Sequence, residues 1–192
     1  MKKYIIALSV LFLALTANAQ EVIWKLTYDV GIPFADTKEF ADQTSWRGLT
    51  LDFDRFVGDK LALGMAFSWS TFVQKYPDSY YEREEILLHG TQVRYINNIP
   101  LTARISYYQP VSNLDLFGSL GVGTVWQETR REIGTYAFVG SYWQFALVPE
   151  LGVLIPAGFK TILTAKVRYV SGFKTDSAPA LSYLSIGLGL GW

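Results

Sequence analysis

The residues able to do chemistry are few. His89 is the only histidine and there is no cysteine. No spacing of the kind that holds a transition metal is therefore present, and neither a thiolate nucleophile nor a disulfide framework is available. His89 follows a polar stretch, QKYPDSYYEREE at 74–85, which supplies Ser79, Glu84 and Glu85. A histidine with a hydroxyl and an acid is the set that general-base acyl transfer uses. No local motif ties these residues together, and a lone histidine at the end of an apolar run commonly has only an interfacial role. Asp78, Glu82, Glu84 and Glu85 could bind Ca²⁺ or bridge divalent ions to a negative surface, although charged rims are commonly just solvated. Tyr76, Tyr80 and Tyr81 in the same stretch suit contact with a partner or glycan.

A second group of charges is spaced differently. Lys25, Asp29, Asp52, Asp54, Arg94, Arg104, Glu150, Lys166 and Arg168 each sit inside an apolar stretch, opposite in parity to its large residues. Val22, Trp24, Leu26, Tyr28 and Val30 alternate with Lys25, Thr27 and Asp29; Leu61, Leu63, Met65, Phe67 and Trp69 alternate with Ala62, Gly64, Ala66, Ser68 and Ser70. Period two over seven to ten residues is the pattern of a strand whose faces meet different surroundings. Eight such strands can be counted. The fourth, from Thr91 to Tyr107, keeps its parity through NNIP and is read as one strand with a bulge or bend near Pro100, a short hairpin at Asn97–Pro100 being the alternative. The eighth closes the chain as YLSIGLGLGW, with Leu184, Ile186, Leu188, Leu190 and Trp192 opposite Ser185, Gly187, Gly189 and Gly191.

Short turns at VGDKL, QPVSNL and IPAGFKT alternate with longer polar segments at roughly 32–46, 74–89, 129–137 and 172–180. The charged face is the smaller one. An eight-stranded barrel has room inside only for packed side chains, so the bulky face is expected outside, in lipid, with no apolar core required. The ions, led by Arg94, Arg104, Glu150, Lys166, Arg168, Asp52 and Asp54, are then expected to pair as a plug, because an unpaired buried charge is costly. Folding the sixth and seventh strands about Gly158 places Glu150 opposite Lys166. The same ions could instead line a gated ion path. Trp24, Tyr107 and Trp192 fall at one set of strand ends and Trp46, Trp69, Trp126, Trp143 and Tyr169 at the other, as two aromatic girdles would.

Composition agrees. Half of the 192 residues are hydrophobic and 18% are charged, against about 25% in soluble domains. Seventeen basic and 17 acidic residues cancel, so there is no basic stripe for nucleic acid. Residues 1–19 read as a cleaved signal peptide: Lys2 and Lys3, an apolar run from Tyr4 to Leu15, then Ala17-Asn18-Ala19. The apolar run is too short to span a bilayer. Residues 20–192 form the remaining domain.

The alternation and the ending carry a resemblance. Ile186, Leu188, Leu190 and Trp192 resemble the C-terminal signal read by the outer-membrane assembly machinery, with Trp in place of the commoner Phe. Residues 20–192 as a whole resemble the eight-stranded outer-membrane β-barrel family of OmpA and OmpX type. The resemblance implies an all-β, antiparallel, up-and-down transmembrane barrel, monomeric, with both termini periplasmic and the long segments outside. It implies as partners the lipid and lipopolysaccharide of the outer membrane, the assembly machinery, and another outer-membrane protein. It implies no cofactor. A structural or interaction role is expected, a narrow charged channel being the alternative. Some barrels of this size modify lipid A acyl chains with a histidine, a serine and an acid, which is the context in which His89 would be catalytic; enzyme activity is not expected. With no peptidoglycan-binding domain following the barrel in this sequence, a cell-wall tether is not expected.

Overall fold

The computed structural model of the chain describes residues 21–83, 86–158, 160–175 and 178–192. The signal-peptide reading of residues 1–19 lies outside them. Eight strands follow in order: β1 Val22–Pro33, β2 Gly48–Phe56, β3 Leu61–Arg83, β4 Ile86–Val111, β5 Leu114–Ile133, β6 Tyr136–Pro156, β7 Ile162–Gly172 and β8 Leu181–Gly191. One short helix, α1 (Ala35–Phe40), follows β1. Each strand pairs antiparallel with the next, and β8 returns to β1 through Tyr28↔Leu188 and Lys25↔Gly191. The sheet is a closed up-and-down barrel.

The faces fall as parity predicts. Leu151 and Leu188 are 71% and 65% exposed, while Lys25, Asp52 and Asp54 are completely buried. This is a soluble barrel turned inside out. Glycines on the inner face make room for the ions: a Cβ on Gly187 would strike the Asp29 carboxylate, and one on Gly189 would strike the Leu26 carbonyl of the adjoining strand.

Three features depart from the sequence reading. First, the lumen does contain apolar packing. Phe72, Ile96, Val125, Val170, Leu181 and Tyr183 form one cluster, and Ile23, Ala62, Tyr108, Phe117 and Leu154 a second. These residues share the inner parity of the ions, and the space left by glycine and alanine lets some large side chains turn inward.

Second, much of the 74–89 and 129–137 segments is strand. The β3–β4 ladder runs out to Arg83↔Ile86, and β5–β6 to Ile133↔Tyr136 around a Gly134–Thr135 turn with Gly134 at φ 58°. Beyond Ser70, where β2 ends its pairing with β3, four strands continue outward as a flap. The β3 ribbon past that point is about 40 Å long at ~3.3 Å per residue. Third, β4 passes Pro100 without changing register: its ladder with β3 goes from Phe67↔Leu101 to Ser70↔Asn98. The missing proline N–H falls in that gap, so no bulge is needed there. The bulge lies instead between Tyr76 and Ser79, with Asp78 at φ 52°.

Candidate functional site

Four cations and four carboxylates meet inside the barrel. From β1 come Lys25 and Asp29, from β2 Asp52 and Asp54, from β4 Arg104, from β6 Glu150, and from β7 Lys166 and Arg168. Each lies on the inward parity of its strand, so the strands themselves aim the charges at one another.

Lys25 Nζ donates to Asp54 Oδ2 at 2.7 Å and to the Tyr108 hydroxyl at 2.9 Å. Tyr108 in turn donates to Asp54 Oδ2 at 2.6 Å. Arg104 is the centre. Its Nη2 reaches Glu150 Oε1 at 3.0 Å and Ser119 Oγ at 2.7 Å, and its Nε lies 3.2 Å from Asp54 Oδ1. Its Nη1 lies 2.9 Å from Asp52 Oδ1, an ion contact rather than an aligned hydrogen bond. Lys166 pairs with Asp52 and sits 3.4 Å from Glu150 Oε2. Arg168 Nη2 donates to Asp29 Oδ2 at 2.7 Å and to Thr50, whose hydroxyl donates to Asp29.

The expected cluster is therefore present, with three corrections. Glu150 has Arg168, not Lys166, as its cross-strand partner. The β6–β7 hairpin folds one residue later than Gly158, with Pro156 opposite Ile162, and that shifts the register by two. Arg94 is not a member. It lies past the top of the closed barrel, where Nε donates to Gln92 Oε1 at 2.9 Å and Nη1 to the Phe40 carbonyl at 3.3 Å. Lys25 and Asp29 complete the set. Their parity marked them as inward, and only the closure of β1 on β8 and β2 brings them to the others. Tyr108 was missed, although its even number on β4 carried the same signal.

The cluster leaves almost no space. The cavity beside Arg104, Glu150 and Arg168 measures ≈ 10 Å³, about the minimum for one water. The cluster cross-links five strands and fills the lumen.

His89 stands apart, on the flap. It stacks on Tyr80 at 4.3 Å and its Nε2 lies 2.7 Å from Asp78 Oδ1. Ser79 Oγ is turned to the Gly90 carbonyl, 3.3 Å away. A His–Ser pair is thus not assembled. Glu84, Glu85 and the side chain of Glu82 lie outside the described residues, and among those described no group of three carboxylates, histidines or cysteines could hold a metal.

Ile186, Leu188 and Leu190 lie exposed on the outer face of β8, and Trp192, just past its end, is exposed as well. The Trp192 and Trp24 backbones exchange two 3.0 Å hydrogen bonds that tie the chain end to β1.

A closed ring of eight antiparallel strands, ionic and packed within and aliphatic and aromatic without, is a transmembrane β-barrel of the outer-membrane kind. In water its exterior would expose an apolar belt far beyond the few hundred Å² that soluble proteins tolerate. Solved structures show the same fold. Neisserial surface protein A superposes with a TM-score of 0.53 at 12% identity, over 91% of this chain and 97% of that one. The outer membrane protein OprG from Pseudomonas aeruginosa superposes with a TM-score of 0.53 at 15% identity, over 90% and 95%. No family profile and no curated protein matches the chain by sequence.

Proposed function

We propose that this protein is an integral outer-membrane barrel with a structural or interaction role, delivered by a signal peptide at residues 1–19 and assembled through Ile186, Leu188, Leu190 and Trp192. It is non-catalytic in this reading. The flap carries the proposal. β2 stops pairing at Ser70 of β3 and β7 stops at Ala146 of β6, so the outer lengths of β3 and β6 are sheet edges. Unpaired edge strands are templates for another strand. Tyr80, Val139 and Trp143 are exposed on this flap. A packed barrel that holds such a sheet above the bilayer is suited to contact the surface, its lipopolysaccharide or a partner protein.

A photo-crosslinker placed at Lys75 or Val139 in intact cells tests this reading. A discrete protein or lipopolysaccharide adduct from the flap, absent from the same probe at Leu188, supports it. Identical lipid adducts from all three positions overturn it. A channel is the second reading, and the ≈ 10 Å³ lumen cavity weighs against it. Large steady conductance in planar bilayers would decide for the channel. Lipid A acylation that changes on His89→Ala, read by mass spectrometry, would decide for an enzyme.

A further inference from the structure

Every ion deep in the lumen has an opposite partner, yet two arginines at its outer mouth do not. Arg94 on β4 and Arg131 on β5 are register partners on the inward face. Like charges placed directly opposite across a ladder repel. Among the described residues neither is ion-paired. The Arg131 side chain makes no hydrogen bond there, and its Nε is buried without a partner.

Aromatic rings hold the pair in place. The Arg94 guanidinium lies 4.5 Å from the Tyr76 ring centroid, and that of Arg131 lies 4.4 Å from Tyr81. Phe40, at the end of α1, is 5.4 Å from both. The bulge between Tyr76 and Ser79 matters here. It shifts the parity of β3, so that Tyr76 before it and Tyr81 after it both face the arginines. Cavities of ≈ 290 and ≈ 280 Å³ flank the pair, and both are lined by Phe40, Thr129 and Arg131. The first is lined by both arginines and also by Asp36 and Glu39. The second carries no acid and is walled by Phe138 and Tyr142.

We propose that Arg94 and Arg131 form an anion site at the outer mouth that takes a phosphorylated sugar. Guanidinium forks match phosphate oxygens, and stacking fixes their direction before the ligand arrives. A phosphate between them would remove the repulsion. The flanking cavities have the size of a sugar ring, with aromatic walls for its apolar face and Thr129 and Tyr142 for its hydroxyls. The outward placement of this mouth, taken from the preceding reading, bears only on where the ligand comes from.

The test is calorimetric titration of the full chain, refolded in uncharged detergent, with glucose 6-phosphate, inorganic phosphate and glucose. Saturable binding of glucose 6-phosphate is expected, tighter than phosphate, with no heat from glucose. Arg131→Gln and Arg94→Gln should each weaken it about tenfold or more, since charge-assisted bonds are lost. Lys75→Gln, the same charge change on the outer face of the flap, should not. Without ligand, Arg131→Gln should leave the unfolding temperature unchanged or raise it, which separates lost binding from lost folding. No saturable binding at millimolar concentrations, or equal binding by both arginine variants, overturns the site. Vesicles with and without lipopolysaccharide then identify the source. An Arg131-dependent stabilisation confined to the former assigns the phosphates of the surface glycolipid, and one equal in both assigns a soluble sugar phosphate. Either supports the site, and stabilisation independent of Arg131 contradicts it.

Discussion

Removing one member of the Arg168–Asp29 pair measures how dry the barrel interior is. Both side chains are 4% exposed and 2.7 Å apart. At an effective dielectric near 20 their attraction is about 6 kcal/mol. Desolvation offsets much of that in the intact pair, but it does not when one partner is deleted. Asp29→Asn and Arg168→Met should therefore each cost about 3–5 kcal/mol, the range for an orphaned buried charge. The double variant, which leaves no orphan, should cost distinctly less than the two singles together. Urea unfolding of the full chain in lipid vesicles, followed by tryptophan fluorescence and by the heat-dependent gel shift of folded barrels, gives all three values. If the lumen were a wet pore, the pair would behave as an exposed one worth about 0–1 kcal/mol. Single costs in that range with an additive double variant would refute the sealed lumen.

Four further outcomes are expected. Gly189→Ala drives a Cβ into the Leu26 carbonyl and should cost about 1–3 kcal/mol, whereas Gly58→Ala, with nothing near its Cβ, should be neutral in the same assay. Leu188→Arg puts a charge on the lipid face and should cost about 2–4 kcal/mol in vesicles. Glu150→Gln leaves Arg104 and Lys166 short of a carboxylate and should lower the unfolding temperature. Trp192→Ala keeps the backbone bonds to Trp24, so refolding in detergent should change little while the amount found folded in cell envelopes falls. Equal losses in both settings would count against an assembly role for that residue.

Strand number and the inward and outward faces were legible in the sequence, because a single period-two pattern encodes them and lipid outside enforces it. What was not legible shares one physical cause. Once β3 and β6 rise beyond the bilayer, both of their faces meet water or a polar mouth. The contrast between alternate residues fades, and KYPDSYYERE reads as a loop although most of it is strand. Arg94 had the right parity but the wrong height, and parity contains no information about height. The two-residue error at Glu150 came from placing a turn by its glycine rather than by its ladder. Tyr108 shares the inward parity of β4, but only three-dimensional proximity distinguishes it as a partner of Lys25 and Asp54.

The distribution of the eight ions along the chain constrains how the ring can be made. The first four strands carry three carboxylates and two cations, and the last four carry one carboxylate and two cations. Neither half is neutral, and they differ in sign. A half-built sheet entering hydrocarbon would drag bare charge with it, whereas the completed circle brings none. Insertion and closure are thereby bound into one event, with each half acting as the counterion of the other.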